Sequence, residues 1–155
     1  MSPSVIRMRE LATDYCNLIE RADITNSKWL EDMANLLPQL HAAVSALGRA
    51  EVLDHSMSPD LDARFELFAE LREVLGSKDS YWMQYDMAHD GQNMSGSLAD
   101  DLTDIYCELK HGLKLMDLEP ARALDDWRNG FHVHWGQHLV DAERHLYELR
   151  SRNQL

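Results

Sequence analysis

Apolar side chains recur every three or four residues along most of the chain, which is the period of a helix with one buried face. The first predicted helix carries such a stripe at Met8, Leu11, Tyr15, Leu18 and Ala22. The second carries the most regular one, at Leu30, Met33, Leu37, Leu40, Val44 and Leu47. No segment alternates apolar and polar residues in the manner of a strand, so the pattern predicts an all-α protein.

A third helix is predicted after Ser58, Pro59 and Asp60, since a capping serine, a proline and then an acid are typical of a helix start. Its expected core face comprises Leu61, Phe65, Phe68, Leu71 and Leu75. Gly76 is expected to end this helix. We expect an irregular loop to follow over residues 77–96, with the aromatic side chains Tyr81, Trp82 and Tyr85.

Two further helices are predicted in the C-terminal half. Ser97 and Asp100 form a variant capping box at the start of the fourth helix, and Pro120 suits the start of the last one. Gly130 weakens the last helix by up to about 1 kcal/mol relative to alanine, so the sequence leaves open a break there. The simplest architecture is a four- or five-helix up-and-down bundle, forming a single helical domain over residues 1–155.

The charge of the chain narrows the classes of partner. The 155 residues include 27 Asp and Glu against 15 Lys and Arg, a formal net charge of -12. This balance disfavours binding to nucleic acid or to an anionic membrane surface, because both rely on clustered Lys and Arg. A basic protein partner, a second copy of the chain or a cation remains compatible with it. Without a signal peptide, a spanning segment or a cysteine motif, we expect a cytoplasmic protein.

Polar residues of the last predicted helix form a stripe next to its core face. His134, His138, Asp141 and His145 step by four, three and four residues, so they share one side of the helix. At about 100° per residue this side borders the face of Trp135, where a neighbouring helix would partly cover it.

The fourth predicted helix carries a matching acidic arc of Asp101, Asp104 and Glu108. If the two helices form an antiparallel hairpin about Leu118, Asp101 and Asp104 come level with residues 132–135, one turn from His138. The sequence therefore predicts carboxylates facing imidazoles across one helix interface.

Two interpretations of this interface remain open. Carboxylates and imidazoles at these spacings on facing helices are how helical bundles hold divalent metals, here zinc, manganese or iron. The ligands predicted on this interpretation are Asp101, Asp104, His134 and His138, with Asp141, His145 and Glu108 as further candidates. The alternative is an interhelical hydrogen-bond network without a ligand, which we favour because such networks are far more common than metal sites.

A second acidic pattern pairs Glu70 and Glu73 with Asp101 and Asp104. It is similar to the pattern of the all-α nucleotide pyrophosphohydrolases, in which four carboxylates on two helices gather magnesium around a nucleoside triphosphate. The second pair is aspartate here where that family has glutamate, and no basic group is obviously placed for phosphates. The sequence contains no GxSxG, P-loop or GxGxxG motif, so we assign no catalytic or nucleotide-cofactor residue.

Two short segments resemble a family of small bacterial helical proteins, a domain of unknown function. They are Asp-x-x-Asp-Ile-Tyr at residues 101–106 and His-Trp-Gly-x-His at residues 134–138. The resemblance covers the last two helices strongly and the earlier ones loosely, and it implies no activity, substrate or catalytic residue. Our first functional hypothesis is therefore a helical domain that acts through protein contacts, with a metal-dependent function and pyrophosphohydrolysis as alternatives.

Overall fold

The computed structural model describes residues 1–23, 25–49, 55, 57, 60–84 and 93–155. Its helices are α1 (Pro3–Glu20), α2 (Trp29–Ala46), α3 (Leu61–Leu75), α4 (Leu98–Met116), α5 (Pro120–Gly130) and α6 (Gly136–Ser151). A π-helical turn, Phe131–Trp135, joins α5 to α6 without a break, so the described part of the chain contains five helical rods. The expected helical bundle of four or five helices is confirmed, and the helix continues through Gly130.

Helix α4 lies at the centre of the fold, where it packs against α1, α3, α5 and α6. The stripes predicted from the sequence supply most of the core: Met8, Leu37, Leu102 and Leu139 are all 0% exposed. Trp127, which the predicted core faces omitted, is also fully buried. Burial of these faces against one another is the main stabilising contribution to the bundle.

The predicted core face of α3 is wrong at its N-terminal end. Leu61 and Phe65 are 72% and 67% exposed, whereas Leu71 and Leu75 are buried as expected. The reason is that Arg64 faces α4, where it hydrogen-bonds to acidic side chains. Arg64 lies seven residues before Leu71, so the two side chains share one face of α3. With this face directed at α4, Leu61 and Phe65 are directed at solvent.

A two-stranded antiparallel hairpin occupies part of the segment expected to be a loop. Strand β1 is Ser80–Gln84 and strand β2 is Asn93–Ser97, with Tyr81 opposite Gly96. The expectation of no strand fails here because the residues of β2 have low strand propensity. Tyr85, the third predicted loop aromatic, lies outside the described residues.

The caps agree with the sequence in part. The Ser97 hydroxyl accepts a hydrogen bond from the N–H of Asp100 and caps α4 as predicted. Helix α3 is instead capped by Asp60, whose carboxylate accepts from two backbone N–H groups, and the expected cap Ser58 and Pro59 lie outside the described residues. None of the helices described here has the length and apolar character needed to span a membrane.

Candidate metal centre

Three carboxylates of α4 lie buried on the face toward the π turn and α6. Asp101, Asp104 and Glu108 have exposed fractions of 4%, 8% and 3%. Their spacing of three and four residues places them in one row along the helix. Because a buried carboxylate costs several kcal/mol unless it is paired and hydrogen-bonded, such a row needs compensating groups opposite it.

His138 of α6 lies between two of these carboxylates. Its Nδ1 is 2.7 Å from Oδ1 of Asp101, and its Nε2 is 3.1 Å from Oδ2 of Asp104. Both ring nitrogens are therefore engaged by α4. Burial by itself would lower the pKa of His138, but hydrogen bonds to Asp101 and Asp104 outweigh it and raise the pKa to about 10.

His134 of the π turn has the same arrangement one turn earlier. Its Nδ1 is 2.8 Å from Oε1 of Glu108, and its Nε2 is 3.9 Å from Oδ2 of Asp104. The ring of His134 lies 5.2 Å from the ring of His138, nearly perpendicular to it. With 39% of its side chain exposed, His134 forms the open side of the cluster.

Three potential ligand atoms consequently converge on one point. They are Oδ2 of Asp104, Nε2 of His134 and Nε2 of His138, and Asp104, His134 and His138 form a group whose ligand atoms all lie within 4.8 Å of one another. The other nitrogen of each histidine is held by a buried carboxylate. Proteins orient metal-binding histidines in this way, with the second ring N–H donated to a carboxylate.

The hydrogen bonds of His138 show what this convergence can accommodate. Burial raises the pKa of Asp101, although hydrogen bonds to His138 and Tyr81 oppose this rise. An ionised carboxylate only accepts hydrogen bonds, so Nδ1 of His138 carries hydrogen toward ionised Asp101. In the neutral ring, Nε2 then presents a lone pair to the negative Asp104. A proton on His138 or a metal ion between the three atoms removes this repulsion, and the geometry accommodates either.

Arg64 of α3 holds the far side of Asp104. Its Nε is 2.9 Å from Oδ1 of Asp104, and its Nη2 is 2.8 Å from Oδ1 of Asp100. Burial would raise the pKa of Asp104, but hydrogen bonds from His138 and Arg64 outweigh burial and hold it well below its usual range. Asp104 is therefore ionised, with one oxygen fixed by Arg64 and the other directed at the histidines.

The hairpin supports the cluster through Tyr81. The Tyr81 hydroxyl donates a hydrogen bond to Oδ2 of Asp101, and its ring stacks on His145 at a centroid distance of 4.8 Å. His145 is fixed in turn by a 2.6 Å hydrogen bond from Nε2 to the carbonyl of Lys78. On the opposite strand, a Cβ at Gly96 would lie 2.3 Å from the Tyr81 ring, so glycine makes room for this ring.

Glu108 has a second histidine partner that the sequence did not indicate. Nε2 of His55 lies 2.9 Å from Oε1 of Glu108, and the side chains of His55 and Glu108 are 6% and 2% exposed. A Cβ at Gly130 would come within 2.8 Å of the Glu108 carboxylate. His55 has no local motif, and it precedes α3 by several residues, so only the tertiary structure brings it to Glu108.

The π turn that carries His134 depends on a glycine. The N–H of Gly136 donates to the carbonyl of Phe131, and a Cβ at Gly136 would lie 2.2 Å from that oxygen. Such turns are rare and frequent at functional sites. Gly136 is the glycine of the His-Trp-Gly-x-His segment, so the π turn gives this glycine a structural role.

The residues predicted as metal ligands have different contacts. Asp104, His134 and His138 supply the three atoms that converge. Asp101 and Glu108 instead contact Nδ1 of His138 and His134. His145 supports Tyr81. Asp141 is half-buried, and burial raises the pKa of its carboxyl although the charges of His138 and Arg144 oppose the rise. Among the described contacts of Asp101 and Asp104 there is none to Glu70 or Glu73, which are both exposed on α3. The position that faces Asp104 from α3 is held by an arginine instead.

The fold matches that of a solved structure. It is similar to the crystal structure of protein BF1032 from Bacteroides fragilis, with a TM-score of 0.75 and 23% sequence identity, over 96% of this chain and 92% of that chain. At this identity the likeness shows the shared fold alone. No curated protein matches the sequence. The sequence model of the family DUF5063, a domain of unknown function, matches residues 1–152, so this chain belongs to the DUF5063 family.

Proposed function

We propose that this protein binds one divalent transition metal through Oδ2 of Asp104 and Nε2 of His134 and His138. The observation that carries the proposal is that Nδ1 of each histidine lies within hydrogen-bond distance of a buried carboxylate while both Nε2 atoms lie within 4 Å of the same oxygen of Asp104. A hydrogen-bond network accounts for Nε2 of His138, which is 3.1 Å from Oδ2 of Asp104. Nε2 of His134 is 3.9 Å from the same oxygen, too far for a hydrogen bond, and a metal ion between the three atoms would use both nitrogens.

The donor set indicates which metals fit. Two imidazoles and one carboxylate suit zinc and non-haem iron(II), and manganese is the next candidate. Three protein ligands would leave a coordination position for water or substrate. The side chain of His134 is 39% exposed, so the cluster is open to solvent. A metal there would supply Lewis-acid chemistry, including a bound water of lowered pKa. Asp101 and Glu108 would orient the two histidines.

Elemental analysis of purified, untagged protein tests this proposal, before and after loading with zinc, iron(II) or manganese and desalting. We expect about one metal ion per chain to be retained by the wild type and lost from the His134→Ala, His138→Ala double variant. The matched control is His111→Ala. His111 lies toward the C-terminal end of α4, away from the cluster, and it is half-exposed and paired with Asp126 of α5.

Circular dichroism separates loss of the site from loss of the fold. The double variant is expected to remain helical, because its core residues are unchanged. If the wild type retains no metal under any loading condition, the cluster is an interhelical hydrogen-bond network and the proposal is wrong. If the double variant binds as much metal as the wild type, the assigned ligands are wrong.

The expectation that the protein acts through protein contacts stays a prediction. Leu61 and Phe65, one turn apart on α3, are exposed apolar side chains of the kind found at protein interfaces. Sedimentation of the wild type and of a Leu61→Ser, Phe65→Ser variant would test whether this surface joins two copies. A self-associating wild type and a monomeric variant would support that role.

A further inference from the structure

A small cavity lies beside the C-terminal end of α2, on a side of the last helix other than the metal cluster. Its volume is about 190 Å³, and its polar lining includes Arg49, Arg128, His132 and Ser45. This is smaller than the roughly 300–1,000 Å³ typical of sites for drug-sized ligands. The cavity therefore suits a ligand of a few heavy atoms.

The charged residues that line this cavity are basic, whereas the protein as a whole is acidic. The chain carries a net charge of -12, yet none of the described residues that line the cavity is Asp or Glu. Arg49 is exposed and forms no ion pair with any residue in the described part of the chain. A local excess of positive charge on an acidic protein raises the local concentration of anions.

Arg128 contributes a buried N–H donor without a hydrogen-bond partner among the described residues. One of its terminal nitrogens donates to the carbonyl of Leu47 at 3.2 Å, and the other pairs with Asp125. Its Nε–H is buried and, within the described residues, has no hydrogen-bond partner. Leaving a buried donor of a charged group unsatisfied costs free energy, which an acceptor within reach of Nε would recover.

The partial negative charge at the C-terminal end of α2 is partly offset next to this cavity. The last carbonyl groups of a helix carry partial negative charge. The carbonyl of Leu47, the residue after α2, accepts a hydrogen bond from Arg128, which offsets part of this charge. His132, whose ring nitrogens can hydrogen-bond to an anion, also lines the cavity.

We propose that this cavity binds a small oxyanion, either inorganic phosphate or the phosphoryl group of a larger molecule, between Arg49, Arg128 and His132. Planar guanidinium groups match phosphoryl oxygens with paired hydrogen bonds. The site is independent of the proposed metal. Residues 128–132 lie just before His134, a proposed metal ligand, in the same helical segment. A bound anion would therefore make the segment that carries His134 more rigid.

The test is an NMR titration of the ¹⁵N-labelled, EDTA-treated protein with inorganic phosphate and, separately, with phenyl phosphate. Removing metal beforehand prevents either compound from binding at the metal centre. We expect saturable shifts confined to residues 44–49 and 128–132. Arg49→Gln and Arg128→Lys should each weaken binding about tenfold, since each removes a hydrogen bond from a charged group.

Arg122→Gln is the matched control, because it removes an exposed arginine that pairs with Glu119 elsewhere on the surface. It should leave the affinity unchanged. Arg49 is exposed, so its variant tests the site without risk to the core, and Arg128→Lys keeps the charge while removing the Nε donor. Tighter binding of phenyl phosphate would identify a phosphoryl group of a larger ligand as the natural occupant, and tighter binding of phosphate would identify the free ion. Shifts that do not saturate, or equal affinities in all variants, would overturn the proposal.

Discussion

The indole ring of Trp127 lies against the backbone of Gly112, where a Cβ atom would come within 2.0 Å of the indole Nε1. This contact joins α5 to α4 and fixes how far the two helices slide along each other. The same register places Asp101 opposite His138 and Glu108 opposite His134. The candidate metal centre therefore depends on a packing contact that contains no polar ligand.

Gly112→Ala is expected to destabilise the fold by about 1–3 kcal/mol, since the added methyl group has no space beside the indole. Urea unfolding monitored by circular dichroism measures this. In the Trp127→Leu background the same substitution should cost less, because the smaller side chain leaves room, and the two effects should not add. Equal costs in both backgrounds would show that the contact does not fix the register.

Tyr81→Phe is expected to weaken metal binding about 10–100-fold while leaving the helical fold intact. The substitution removes the hydroxyl that donates to Asp101, the carboxylate behind His138. Competition with a metal-binding dye measures the affinity. Tyr147→Phe is the control, since Tyr147 is 70% exposed. An unchanged metal affinity in Tyr81→Phe would show that the hairpin does not contribute to metal binding.

Metal uptake is expected to release protons. In the metal-free protein the pKa of His138 is raised from 6.5 to about 10, so this ring is protonated near neutral pH, and a metal on Nε2 must displace that proton. Affinity should therefore increase with pH up to that value. Calorimetry in two buffers of different ionisation enthalpy should show about one proton released per ion.

The same pKa predicts how the stability of the metal-free protein depends on pH. Because the folded-state pKa lies above the unfolded value, protonated His138 stabilises the fold fully below pH 6.5, and this contribution is lost as pH rises through about 10. His138→Gln lacks the titrating group. The stability difference between wild type and this variant should therefore narrow on the alkaline side, and a constant difference would contradict the assignment.

Gly136→Ala is expected to destabilise the last helix by about 1–3 kcal/mol, because its methyl group would press on the Phe131 carbonyl that closes the π turn. On helix propensity alone the change would be stabilising, so the sign of the effect is informative. Thermal unfolding compares it with Gln137→Ala, an exposed substitution on the same helix. A gain in stability for Gly136→Ala would mean that the π turn is not required.

The sequence determined the helical bundle and the side of each helix that carries the candidate site. Apolar periodicity located the cores of α1, α2 and α4, because burying one face is what stabilises an amphipathic helix. The spacing of His134 and His138, together with that of Asp101, Asp104 and Glu108, placed carboxylates and imidazoles on one interface. That much follows from 3.6 residues per turn and an antiparallel connection.

Only the tertiary structure decided how these groups are used. Asp101 supports His138 while Asp104 faces both histidines, a distinction that depends on which way each side chain turns at the interface. Arg64 and His55 reach the cluster from distant parts of the chain. Tyr81 reaches it from a hairpin whose second strand has little strand propensity. Local periodicity carries no information about such partners, because their positions are set by packing between elements that are far apart in sequence.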